Sequence, residues 1–288
     1  MDMDFIKYTA QGNDYIVIDP NKLTLPMTPE NIKKICDRRT GIGADGILHG
    51  PHLKGESLGL FTYNADGSTC SRSGNGLRIF SRYLIDHDYC QANTVHITLL
   101  PEKNPIEVHK TSSGNQFVVN MGNYAFELKN SASDGQPPKM IFNEPVTLAG
   151  HEFSLSCVNI ANPYGVLIPR SANTLELETL VPEINALDIL PPRSNLLLAK
   201  SIQNNCIKLT CWEPGAGLTQ ASGGGACAAM AVCFEMGLVE DSALVKMPGG
   251  NVLLFLDRDG STTLTGSVSQ VCSGFFSLDF ENTIAHAC

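Results

Sequence analysis

The sequence predicts an α+β protein of two similar halves, each a mixed sheet curled around one buried helix. Three observations predict it. A serine-glycine turn occurs twice, as Ser73-Gly74-Asn75-Gly76 and Ser222-Gly223-Gly224-Gly225; each turn opens an apolar helical run; and each run is followed by the same succession of three strand-like segments. A chain of 288 residues also fits two domains of roughly 140 residues better than one.

In chain order, Phe5 to Tyr8 and Tyr15 to Asp19 read as strands around the loop Gln11-Gly12-Asn13-Asp14. Thr28-Pro29-Glu30 ahead of Ile32, Ile35 and Cys36 reads as a capped helix ending near Arg38, with Pro in the first turn where its missing N–H costs little. The glycine-rich loop Gly41 to Gly46 leads into Ile47-Leu48 and then, beyond Pro51, into the strand Leu58 to Tyr63. The run from Leu77 to Leu84 has helical spacing, whereas Ala226 to Met236 is apolar on almost every side, which places that helix inside its domain. Strands are expected at 96–100, 106–109 and 116–121 after the first helix, and at 244–247, 252–256 and 263–267 after the second. The turns Ser112 to Asn115 and Asp257 to Gly260 fit hairpins between them. Further strands are expected at 153–159, 165–168, 194–198 and 206–212.

The polar stretch from Asn123 to Pro145, with Ser131 to Pro138 at its centre, suits a surface connection. It divides the chain into an N-terminal half of residues 1–123 plus 272–288 and a C-terminal half of 124–271. A net charge of −9 argues against a nucleic-acid partner, which needs clustered Lys and Arg. No stretch is long and apolar enough for a membrane span, and the N-terminus lacks the order of a signal peptide, so a cytoplasmic location is expected. Ten scattered cysteines without a C-x-x-C pair read as free buried thiols and not as a disulfide scaffold or a metal site. Cys227 and Cys233 are expected to face the core and Cys70 to belong to a loop.

The repeated turn carries the chemistry. Glycines let backbone N–H groups approach a ligand closely, and a helix N-terminus behind them favours an anion, so two half-sites for one small carboxylate are expected. Around the turns stand Gly12-Asn13-Asp14, Gly41 to Gly46, Asn64-Ala65-Asp66-Gly67-Ser68, Gly74-Asn75-Gly76 with Arg78, Asn162-Pro163, and Trp212-Glu213 with Gly215-Ala216-Gly217. In this order they resemble the diaminopimelate epimerase family over nearly the whole chain.

That resemblance implies a cofactor-independent amino-acid racemase or epimerase of two pseudo-symmetric domains, with no metal and no pyridoxal phosphate, its active site in the cleft between the halves, and a homodimer. It implies two cysteines immediately before the glycine turns, one taking the substrate α-proton as thiolate and the other donating one from the opposite face. Here both positions are serine, Ser73 and Ser222. An alcohol is a far weaker acid than a thiol and needs an adjacent base. An engineered Cys→Ser double replacement that holds substrate without turnover is the reading placed first. A natural relative that binds without epimerising and natural serine chemistry are the alternatives.

The family's contacts, carried over position by position, put the substrate carboxylate on the amides of Gly74 and Asn75 and of Gly223 and Gly224. Asn13, Asn64, Asn162 and Asn195 become polar ligands, and Glu213 the carboxylate near the amino group and the acid–base pair. Two departures bear on substrate. The family's arginine that grips the distal carboxylate of diaminopimelate is replaced by Pro214, and the histidine of its Asn-Pro-His by Tyr164. An amino acid other than diaminopimelate is therefore expected, histidine being one candidate. A diaminopimelate epimerase and a non-catalytic amino-acid binding protein are the alternatives.

Overall fold

The computed structural model describes residues 3–54, 57–70, 72–101, 104–126, 140–160, 162–171, 175–187 and 189–285. Its elements are β1 (Phe5–Ala10), β2 (Asn13–Ile18), α1 (Pro29–Cys36), β3 (Gly46–Lys54), β4 (Ser57–Asn64), α2 (Gly74–Asp86), β5 (Thr94–Leu99), β6 (Asn104–Lys110), β7 (Gln116–Asn123), β8 (Glu144–Leu148), β9 (His151–Ile160), β10 (Asn162–Pro169), α3 (Leu177–Ala186), β11 (Asn195–Gln203), β12 (Cys206–Glu213), β13 (Gly217–Thr219), α4 (Gly223–Glu235), β14 (Ser242–Met247), β15 (Gly250–Leu256), β16 (Ser261–Ser267), β17 (Ser269–Gly274) and α5 (Leu278–Ala285). They fall into two compact units, Met1–Val119 with Gly266–Cys288, and Asn120–Thr265. These borders lie a few residues from those drawn on the sequence, because β7 and β16 each run across the border.

In the first unit the strands lie in the order β17-β1-β2-β3-β4-β5-β6-β7, paired antiparallel, antiparallel, parallel, antiparallel, parallel, antiparallel and antiparallel. In the second the order β8-β9-β10-β11-β12-β14-β15-β16 repeats that succession of pairings without exception, with β13 added against β12. Both units are thus the expected mixed sheet around a helix: α2 packs on β1, β2, β3, β5 and β6, and α4 on β9, β10, β11, β12, β14 and β15.

The helices sit inside for the reason their sequences give. Every residue of α4 from Ala226 to Cys233 is fully buried, which only a run of small and apolar side chains tolerates. α1 caps the outside of the first sheet with Ile32 and Ile35 against Phe5, Ile16, Ile18 and Ile47. α3 does the same for the second with Leu177, Leu180, Val181 and Ile184 against Phe153, Leu155 and Leu196.

Several expectations are corrected. The strand at Ile47-Leu48 does not stop before Pro51; β3 continues to Lys54 because a register shift between His49 and His52 accommodates the proline. α3 is unforeseen, since Pro182 inside it interrupts a helical reading. The run Ser131 to Pro138 lies outside the described residues. Cys227 and Cys233 are buried as expected, but Cys70, Cys90 and Cys206 are only half-buried and Cys272 is exposed. No helix among the described residues is long and apolar enough to cross a membrane.

Candidate functional site

Ser73 and Ser222 occupy the same place in their units, the N-cap of the central helix. Both have extended backbone, φ −123° and ψ 115° at Ser73 and φ −134° and ψ 114° at Ser222. Each hydroxyl oxygen accepts a backbone N–H three residues on, from Gly76 at 3.0 Å and from Gly225 at 3.3 Å. This is the usual service of a serine N-cap, which satisfies one of the donors a helix start leaves open. The glycines make room for it. A Cβ on Gly76 would come 3.3 Å from the Ser73 side chain, and one on Gly225 would come 3.1 Å from that of Ser222. Gly74 and Asn75, and Gly223 and Gly224, form the first residues of α2 and α4. Their amides point out of the helix starts, where the peptide dipoles favour an anion.

Beside each cap the strand ends place a row of equivalent positions. In the first unit Tyr15 of β2 lies opposite Gly46, and Gly46 opposite Asn64. In the second Tyr164 of β10 lies opposite Asn195, and Asn195 is one residue beyond the pair Leu196 and Trp212, which brings it level with Glu213. So Tyr15 answers to Tyr164, Gly46 to Asn195 and Asn64 to Glu213.

In the first unit the Tyr15 hydroxyl donates to Ser73 Oγ at 3.3 Å. Asn75 Nδ2 donates to Asn13 Oδ1 at 3.3 Å, and Asn13 Nδ2 donates to Asp45 Oδ2 at 2.7 Å. Asp45 and Asp14 share Arg38, at 2.7 Å each, and Lys7 pairs with Asp14 at 2.7 Å. Burial raises the Asp14 pKa, but the hydrogen bonds and charge of Arg38 and Lys7 outweigh it and hold the group at about 2. From within the helix, fully buried Arg78 donates to Gly74 O at 3.1 Å, to Asn75 Oδ1 at 2.6 Å and to Gln11 Oε1. Asn64 turns to its own loop, Nδ2 donating to Ser68 Oγ at 2.9 Å.

In the second unit Ser222 is 8% exposed and faces two titratable groups. Glu213 is raised above the ordinary carboxylate range by burial, and a hydrogen bond from Ser222 pulls it part of the way back. Tyr164 is 5% exposed; burial and then the charge of Glu213 push its phenol up, again against a hydrogen bond from Ser222. Its hydroxyl lies where a side chain on Gly224 would have to be. Pro214 follows Glu213 in the turn closed by Ala216 N donating to Glu213 O at 3.1 Å. Asn195 Nδ2 reaches Pro163 O at 3.5 Å, and Asn162 begins β10 exposed to solvent.

The structure thus gathers Asn13, Ser73, Gly74 and Asn75 in one unit and Tyr164, Glu213, Ser222 and Gly224 in the other. The guanidinium of Arg78, which the sequence shows only as part of the turn motif, acts inside the fold on Asn75 and Gly74. Tyr15 was missed. The signal was available: Tyr15 stands two residues after Asn13, as Tyr164 stands two after Asn162.

Known proteins agree with this architecture. The chain matches the family model described as diaminopimelate epimerase over residues 5–127 and 156–271. It is 36% identical over 278 residues to diaminopimelate epimerase 2 of Nostoc sp. strain PCC 7120, covering 96% of both chains. With the diaminopimelate epimerase of Cyanothece sp. strain PCC 7425 the identity is 32% over 279 residues, covering 95% of this chain and 99% of that one. Among solved structures, a hydroxyproline epimerase from Agrobacterium vitis with bound trans-4-hydroxy-L-proline superposes with a TM-score of 0.64 at 12% identity, covering 94% of this chain and 91% of that one. A probable proline racemase from Agrobacterium radiobacter gives 0.66 at 10% identity, with 96% and 94% covered, which is a likeness of fold. With two capped helices at corresponding places in two like-paired sheets, and with relatives of this identity over nearly its whole length, the chain belongs to the diaminopimelate epimerase family of isomerases.

Proposed function

We propose that the protein binds a free α-amino acid through the contacts of an amino-acid epimerase, its carboxylate on backbone amides of the serine-glycine turns, and that alcohols in place of thiols leave it without the two-thiol exchange of the α-proton. The observation that carries this reading is the state of the two serines. Each is committed to its helix as an N-cap, and among the described residues no histidine or lysine is hydrogen-bonded to either hydroxyl. The amino acid is one without a second carboxylate at its far end. Pro214 supports this, because it stands beside Glu213 and offers no charge where a distal carboxylate needs a bidentate cation. Histidine is one candidate; diaminopimelate, named in the relatives, is the alternative.

Calorimetric titration with a panel of L-amino acids and meso-diaminopimelate tests the binding. Binding of an amino acid without a distal carboxylate is expected, tight selective binding of meso-diaminopimelate would overturn the choice of substrate, and no binding of any amino acid would overturn the reading as a whole. Solvent deuterium incorporation at the α-carbon tests the chemistry. The native chain is expected to incorporate little, and the double replacement Ser73→Cys with Ser222→Cys to restore exchange. A slower exchange through serine is the second reading, favoured by the carboxylate of Glu213 against Ser222. It predicts native exchange that Glu213→Gln abolishes.

A further inference from the structure

A serine hydroxyl has one hydrogen to donate and two lone pairs to accept with. At Ser73 both acceptor positions are occupied: Gly76 N–H reaches the oxygen from within α2 at 3.0 Å and the Tyr15 hydroxyl from β2 at 3.3 Å. What the Ser73 oxygen can still offer is its own hydrogen. The arrangement is built into the strand row, since the Tyr15 ring passes over Gly46, where a Cβ would come 2.7 Å from Tyr15 Cε1. A side chain at position 46 would push the phenol away from Ser73.

The corresponding alcohol has a carboxyl group among its neighbours. Ser222 accepts from Gly225 and has Glu213 and Tyr164 as its titratable neighbours. At Asn195, the counterpart of Gly46, a side chain is present, and the Tyr164 hydroxyl lies over Gly224.

We infer that Tyr15 is a positioning residue that fixes the Ser73 hydroxyl as a hydrogen-bond donor, so that the first unit receives an acceptor from the ligand, a carboxylate or carbonyl oxygen, and not an ammonium group. The polarity of Ser73 follows from the contacts of one unit alone. Its consequence for the ligand rests on the amino-acid reading above.

The polarity is tested without any ligand by placing a thiol at the position, with Ser73→Cys compared with the double variant Ser73→Cys, Tyr15→Phe. A phenol that donates to this atom favours the thiolate, so the double variant should alkylate with iodoacetamide at a midpoint about one pH unit higher, read by mass spectrometry of the peptide that contains position 73. Arg72, which precedes Ser73, and Arg78, Asp14, Asp45, Arg38 and Lys7, linked to the turn through Asn75 and Asn13, are the same in both arms. Equal midpoints would overturn the inference.

In the native chain, Tyr15→Phe should weaken binding of the amino acid several-fold and leave binding of the amine that lacks its carboxylate unchanged; equal losses for both would also overturn it. Phenylalanine keeps the ring and removes only the oxygen, and the folding of this variant is to be checked by circular dichroism. Should no amino acid bind the native chain while the thiol midpoint moves as expected, the proposed function fails and the role of Tyr15 stands.

Discussion

The two units repeat one ladder of strand pairings and differ in what stands on it. Where the first has Asn64 the second has Glu213, where the first has Gly46 the second has Asn195, and five residues after the cap the first has Arg78 where the second has Cys227. The register of the strands and the position of the caps are shared; charge and hydrogen-bond polarity are not. Backbone pairing therefore fixes where the functional rows lie, and the side chains on each row are free to make one turn a fixed donor and the other a neighbour of a titrating carboxyl. The first unit holds its charges in a chain of partners from Arg78 through Asn75 and Asn13 to Asp45, whereas the second surrounds its serine with burial.

The largest break in this comparison comes from the helix interiors. Arg78→Met removes the donors to Gly74 O, Asn75 and Gln11 from a site without solvent, and should cost about 3 kcal/mol or more of unfolding free energy in denaturant titration. Cys227→Ala at the corresponding place loses only a small apolar side chain and should cost about 1 kcal/mol. Equal losses would mean that the guanidinium is not what orders the first turn.

Next in size is Gly224→Ala, whose methyl group would collide with the Tyr164 hydroxyl. A loss of about 2 kcal/mol is expected, recovered in good part when Tyr164→Phe removes the oxygen. At the counterpart, Asn75, a side chain is already accommodated, so Asn75→Ala should weaken the link to Asn13 without overpacking. Lack of rescue by Tyr164→Phe would place the clash elsewhere.

The smallest effects are in acid, where the two units should run in opposite directions. The folded pKa of Asp14, about 2, lies below its ordinary value of 3.8. Its stabilisation is complete above the ordinary value and is lost as pH falls toward 2. Glu213 is raised, so the folded state holds its proton longer than the unfolded one, and stability falls as pH rises through the interval between the ordinary glutamate value and the raised one. Asp14→Asn should therefore lower the melting temperature at neutral pH, by an amount that salt reduces because Arg38 is half exposed. Glu213→Gln should leave it unchanged or higher and flatten the slope in weak acid. Parallel pH profiles for the two variants would remove the electrostatic contrast.

These differences explain what the sequence made legible. The repeated turn located both caps, both central helices and the strands after them, because glycine and serine have a backbone meaning that does not depend on tertiary context. β17 was not anticipated: its residues are mostly exposed, and it is held through backbone pairing with β1, which leaves little hydrophobic pattern to read. α3 hides behind Pro182. Asn13 and Glu213 were readable from ordered motifs, whereas Tyr15 sits among Ile16, Val17 and Ile18, where an aromatic ring reads as core and only the Ser73 contact reveals its polar end.

The serines at the caps also decide how the protein meets oxidants. A thiol at a helix N-terminus is the kind of cysteine that loses its proton readily and is oxidised in steps to sulfenic and higher acids. At positions 73 and 222 an oxidant meets alcohol oxygens, which do not enter that ladder. Burial pushes the thiols of Cys157, Cys211 and Cys233, and with nearby carboxylates that of Cys36, up to about 12, so they remain protonated and unreactive. Among the described cysteines, Cys272 on β17 is exposed and Cys70, Cys90 and Cys206 are half-buried, so the thiols open to an oxidant lie away from the two helix caps' own positions.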